Sequence, residues 1–136
     1  MNMRKLIILA VFVAGAVILA ACGGSPTPQP VSANPTVPAD FAGKSLPAGA
    51  DAAAGKEAFT TNCAACHGAE GHGDGPAGAA LDPKPRDLSA FAPEVGDDYL
   101  FWRVNTGVPG TAMVGWKGIL TDEQIWDVIA YIRTLK

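Results

Sequence analysis

Three stretches of this chain place apolar residues at helical spacing. In Ala52–Asn62 the run is rich in Ala, and Gly55 and Phe59 stand four apart on one face. Asp98–Thr106 (DYLFWRVNT) sets Leu100, Phe101 and Val104 inward, with Trp102 as further core or a cover. Thr121-Asp122-Glu123-Gln124 has the T-x-x-Q pattern of a capping box. After it Ile125, Val128, Ile129, Ile132 and Leu135 recur at helical spacing, flanked by Trp126 and Tyr131. The pattern therefore predicts helices over these three stretches. Two earlier segments obey other rules. Leu6–Ala21 is uncharged throughout, and Cys22 to Ala50 has no apolar period.

Leu6–Ala21 covers ~24 Å at ~1.5 Å of helical rise per residue, short of the ~30 Å hydrocarbon core. It comes after Arg4 and Lys5 and ends in small residues, the layout of a secretory signal over residues 1–21. Its last residues, Leu19-Ala20-Ala21-Cys22, resemble the bacterial lipobox. That resemblance implies cleavage before Cys22 and acylation of its thiol. The alternative is an uncleaved anchor with an incidental cysteine. Either reading puts the remaining chain outside the cytoplasm beside a membrane, lipid-anchored on the periplasmic or extracytoplasmic face if Cys22 is acylated. Residues 22–50 hold six of the eleven prolines, from Pro26 to Pro47. Proline removes a backbone donor and fixes φ, so helix and central strand are excluded there. The segment reads as a tether reaching ~85 Å if polyproline-like and ~30 Å as a coil. Docking on a partner, with ordering, is the alternative. Residues 51–136 remain as the folded domain.

The chain of 136 residues carries a formal charge of −3, and loss of Arg4 and Lys5 takes it to −5. Nucleic-acid binding needs clustered Lys and Arg, so that class of function is excluded.

A domain of about 86 residues buries little apolar surface and usually needs a staple. With Cys22 assigned to a lipid, the thiols left are Cys63 and Cys66, with His67 directly after them. A zinc site wants four ligands, and there is no second C-x-x-C or H-x-x-x-H. A thioredoxin-like pair wants a βαβ setting, and no β-branched run precedes Cys63. A plain disulfide fits poorly at that spacing and leaves His67 unexplained. Cys63-Ala64-Ala65-Cys66-His67 is instead the attachment signature of c-type haem, both thiols adding to vinyl groups and the imidazole held under the iron.

On this motif the chain resembles the class I single-haem cytochromes c over nearly all of Asp51–Lys136. The resemblance implies an all-α fold, helices wrapped around one covalently bound haem c, and a second axial ligand. Met113 is the methionine left once Met1 and Met3 depart with the signal peptide. Its surroundings, Gly110-Thr111-Ala112-Met113-Val114-Gly115-Trp116, look like the family's distal loop, although family members often have Pro where Val114 stands. His72, in Gly71-His72-Gly73-Asp74-Gly75, is the only other imidazole and lies close in sequence to the proximal ligand. The family supports its proximal His with a proline carbonyl, here Pro83 or Pro85. Arg86 and Trp116 are candidates to meet the haem propionates. In the family the first and last helices cross where a Gly lets an aromatic approach, which Gly55 and Tyr131 would supply; packing through any apolar face is the alternative.

His/Met ligation leaves no open position on the iron and favours the ferrous state. The chemistry left to such an iron is one-electron transfer, not catalysis. Gly71–Ala77 with Pro83-Lys84-Pro85 further resembles the lipid-anchored mono-haem subunits of alternative complex III-type quinol-oxidising assemblies, and cytochrome domains of terminal oxidases. The expected role is a membrane-tethered carrier in a respiratory or photosynthetic chain. Its partners would be a quinol-oxidising complex and a downstream oxidase, photosynthetic centre or soluble carrier. A haem enzyme, or a ligand sensor with an open sixth position, is the alternative.

Overall fold

Each periodic stretch folds as a helix, and local chemistry sets where each begins. Helix α1 (Ala52–Asn62) starts at Asp51, whose carboxylate accepts from the Ala53 and Ala54 N–H groups at 2.8 and 3.3 Å. Two short helices come next, α2 (Ala64–His67) and α3 (Leu88–Phe91), the latter running into a 3-10 turn at Ala92–Glu94. Helix α4 spans Asp97–Thr106 and α5 spans Asp122–Ile132. The capping box at α5 is formed, with Gln124 N–H donating to Thr121 Oγ1 (3.2 Å) and Thr121 N–H to Gln124 Oε1 (2.9 Å). Leu135 lies past the end of α5 and still packs on the core.

This computed structural model describes residues 34–136, of which Thr36–Lys136 form one compact unit. The expected signal peptide, Cys22 and the first part of the tether lie outside the described residues. Among the described residues the only extended pairing is two isolated bridges, Gly107 with Val114 and Lys117 with Leu120. The fold is all-α, and no described helix is long and apolar enough to cross a membrane.

The main helix contact is α1 against α5. Gly55 makes it possible, since a Cβ there would meet the Asp127 carbonyl oxygen at 1.8 Å. The closest approach to Gly55 is thus backbone at Asp127–Val128 rather than the Tyr131 side chain. One turn along each helix, Phe59 and Tyr131 meet with ring centroids 5.2 Å apart, and the Tyr131 hydroxyl donates to the Ala69 carbonyl at 3.3 Å. Phe59, Ile125, Val128 and Ile129 are fully buried, and α4 adds Leu100, Phe101 and Val104. Each such side chain contributes ~1.5–3 kcal/mol. Phe101 also stacks on Trp126 at 4.2 Å, whereas Trp102 stays partly exposed, edge-on to Tyr99 at 5.8 Å.

The packed unit starts before Asp51. Phe41 sits 6.2 Å from Phe101, and the Gly43 and Leu46 N–H groups donate to Asp98 Oδ2 (3.0 Å) and Asp97 Oδ2 (2.9 Å). Proline bars this segment from a helix but not from packing as a series of turns, such as Phe41 N–H donating to the Pro38 carbonyl at 2.9 Å, in which Phe41 and Leu46 cover apolar surface of the core. Arg133 holds the same corner from the other side. Its guanidinium donates to Asp97 Oδ1 and to the carbonyls of Ala92 and Val95.

Candidate functional site

Cys63 closes α1, its N–H donating to the Phe59 carbonyl at 2.8 Å. The chain then winds once more, with Cys66 and His67 N–H both donating to the Cys63 carbonyl (3.1 and 2.9 Å). The two thiols and the imidazole therefore share one tight turn. Both thiols are free and half-buried. Burial pushes the Cys63 thiol up to about 11, and the neighbouring Cys66 adds to the rise. Burial lowers the proton affinity of the His67 ring; the Arg86 backbone pulls the other way without reversing it. A neutral imidazole is the form that binds a metal. His67 Nδ1 is buried without a well-aligned hydrogen bond, and the backbone group that acts on the ring is that of Arg86, not of Pro83 or Pro85.

A glycine-rich loop closes over this turn. Gly73 N–H donates to the His67 carbonyl (2.8 Å) and Ala77 N–H to that of Ala65 (2.9 Å). A Cβ on Gly75 would lie 2.5 Å from the Ala65 oxygen, and one on Gly78 2.5 Å from that of Cys66. Glycine is required here because backbone lies on backbone.

The two expected prolines are placed differently. Pro83 is exposed, whereas Pro85 is half-buried, packing on Gly78 with its carbonyl against Gly73. Arg86 itself is exposed, its guanidinium 4.3 Å from the Phe91 ring centroid. Asp87 caps α3 and is held below the usual carboxylate range, chiefly by the Ser89 hydroxyl donating to it at 2.7 Å. His72 is exposed, with Nδ1 3.4 Å from Asp87 Oδ1 and 3.3 Å from Ser89 Oγ.

Met113 is half-buried in a loop that the last turn of α4 holds in place. Trp116 and Lys117 N–H donate to the carbonyls of Val104 (3.0 Å) and Asn105 (3.1 Å), and Val108 N–H donates to that of Met113 (3.0 Å). Thr111 braces it further, accepting from Met113 N–H at 3.1 Å while its hydroxyl donates to the Val108 carbonyl. These bonds supply the stiffness that a proline at position 114 would have given. Val114 is 61% exposed. Trp116 packs partly buried against the core.

Two residues outside the sequence-based set stand out. Arg103 Nε and Asn105 Oδ1, on α4, are buried without hydrogen-bond partners. Among the described residues no group of three or more His, Cys, Asp or Glu could hold a bare metal ion. The donor set instead fits a group bringing its own macrocycle: two thiols and an imidazole on one turn, and a methionine loop braced from a second element.

Residues 52–136 match the Cytochrome c family model. The chain is 39% identical over 83 residues to cytochrome c6 of Parathermosynechococcus lividus, which covers 61% of this chain and 88% of that protein. It is 35% identical over 89 residues to cytochrome c-554(547) of Halothiobacillus neapolitanus, covering 63% and 98%. Similarity to the thiosulfate dehydrogenase of Stutzerimonas stutzeri is 31% over 121 residues; it covers 82% of this chain, which spans only 34% of that protein's length. Among solved structures, a chain of the Kuenenia stuttgartiensis reducing HAO-like protein complex is similar with TM-score 0.54 and 29% identity, over 62% of this chain and 43% of that one.

Proposed function

Because the chain belongs to the cytochrome c family, whose domain carries covalently bound haem c, we propose that it is a mono-haem electron carrier tethered to a membrane. Cys63 and Cys66 would hold the group as thioethers, and His67 and Met113 would ligate its iron. When bound, the haem supplies a one-electron iron couple whose ferrous state a thioether ligand favours. The chain's own residues prepare that chemistry. Burial keeps the His67 ring neutral at physiological pH. Gly75 and Gly78 let the loop close on the Cys63–His67 turn. Thr111 and the last turn of α4 keep Met113 from swinging away. The observation that carries this reading is the single turn bearing two free thiols and an imidazole whose Nδ1 is buried.

Acylated Cys22 anchors the chain at the extracytoplasmic face of a bacterial membrane, and the tether runs from there to about Thr36, where the compact unit begins. The electron donor is a quinol-oxidising complex of the alternative complex III kind; the acceptor is an oxidase, a photosynthetic centre or a soluble carrier. A haem enzyme or ligand sensor with an open sixth position is the second reading, favoured by the similarity to the thiosulfate dehydrogenase.

The test is to extract membranes in mild detergent, separate native complexes by size and stain for covalent haem and for this chain. Migration with a large assembly whose quinol reduces the haem is the expected result. Migration alone, near the chain's own mass, removes the fixed-subunit role and leaves a shuttle. Cys22→Ser is expected to move the protein from the membrane to the soluble fraction, and retention at the membrane would overturn the lipid anchor.

A further inference from the structure

Of the three buried side-chain atoms without a well-aligned hydrogen bond among the described residues, His67 Nδ1 belongs to the proximal ligand. Arg103 Nε does not. A buried donor left unmet is costly, and more so on a charged group. The fold nevertheless holds this guanidinium firmly. Its Cζ lies 3.7 Å from the Trp102 ring centroid and 5.3 Å from that of Tyr99.

The ring contact is made at Cζ, and the guanidinium's N–H edge, with the buried Nε–H on it, is the donor left to satisfy. That edge matches a carboxylate with two parallel hydrogen bonds. The carboxylates of α4 itself are engaged at the opposite end of the helix. Asp97 takes Arg133 and Leu46 N–H, and Asp98 takes Gly43 N–H. The chain segment close to Arg103 is the methionine loop's anchorage, the carbonyls of Val104 and Asn105 that receive Trp116 and Lys117.

We propose that Arg103, stacked on Trp102, binds a haem propionate through its Nε–H edge and keeps that carboxylate ionised. This rests on the proposed haem site and adds an anchor that the sequence motifs do not mark. Arg86, stacked on Phe91, is a second cation of similar build, on the loop beside His67. Arg103 differs from it in having its donor buried.

A guanidinium beside a carboxylate holds its pKa down. In the native protein the propionate then stays charged across neutral pH and adds no proton-linked slope to the reduction potential. With the cation removed, its pKa rises into the measured window, and the potential falls as pH rises through it, because the ionised carboxylate favours ferric iron.

The experiment uses the full-length protein in detergent. Covalent haem is first verified by the pyridine haemochrome spectrum. The midpoint potential is then measured from about pH 5 to 8, with the propionate carboxyl band tracked by infrared difference spectroscopy, since an imidazole is also present at His72. The expected result is no propionate-linked slope in the wild type, a clear one in Arg103→Gln, and a smaller one in Arg103→Lys. A haem-loaded Arg103→Gln protein with the wild-type profile overturns the proposal. So does a wild-type slope that infrared assigns to a propionate, which needs no variant to fold. Absence of covalent haem in the wild type overturns the haem site itself.

Discussion

His67 and Met113 are held by different means. His67 sits one residue past Cys66 on a hydrogen-bonded turn, so its place is set by local backbone. Met113 depends on Thr111 and on carbonyls of α4, so its place is set by a second element. If Met113 is the distal ligand, Met113→Ala opens the sixth position. The ferrous variant then binds carbon monoxide readily where the parent binds it weakly, and its reduction potential falls. Carbon monoxide difference spectra that are strong in both proteins would favour the enzyme or sensor reading. At this scale the motif residues were legible because Cys63, Cys66 and His67 fall within five consecutive positions. Arg103 and Asn105 were not, since being buried without a partner is a property of the fold and leaves no mark in the sequence.

Helices α1 and α5 carry most of the packing, and Gly55 is the tightest point between them. Their crossing was legible, as was a glycine in it. Its partner was not. The family resemblance suggested an aromatic, but the closest approach is to the Asp127 carbonyl, and Tyr131 pairs one turn later with Phe59. Gly55→Ala adds one methyl where backbone already sits at 1.8 Å from the Cβ position. The helices must separate, with an expected loss of about 1–3 kcal/mol for an overpacked core. Urea unfolding monitored by circular dichroism measures it, and an unchanged midpoint would contradict the close backbone contact.

Asp97 ties the whole unit together, joining the N-terminal segment at Leu46, the start of α4 and Arg133 beyond α5. Burial alone would raise its carboxyl, but the Leu46 N–H and the Arg133 guanidinium more than reverse this and hold it below the ordinary value. A folded pKa below the unfolded one adds stability that is complete above the unfolded value, ~3.9, and is lost as pH falls through the folded one. The wild type should therefore lose stability more steeply than Asp97→Asn below about pH 4, while the variant is the less stable at neutral pH. Chemical unfolding across this range tests it, and parallel pH profiles would mean that Asp97 contributes nothing. Measured near neutral pH, Asp97→Asn should also expose the Phe41–Leu46 segment to proteolysis.

The sequence alone determined the helices over Ala52–Asn62, Asp97–Thr106 and Asp122–Ile132, to within a residue or a turn, because an apolar stripe at helical period and a capping residue are local information. It also marked Cys63–His67 as the candidate chemical centre, because the C-x-x-C-H spacing is itself local information. The tertiary structure decided the rest. It put Phe41 and Leu46 on α4, where proline content had suggested a free tether. It separated the half-buried Pro85 from the exposed Pro83, and it left Arg103 with a buried donor to satisfy. Each of these turns on which surfaces meet. Burial and close approach depend on residues far apart in the chain, which periodicity and spacing do not encode.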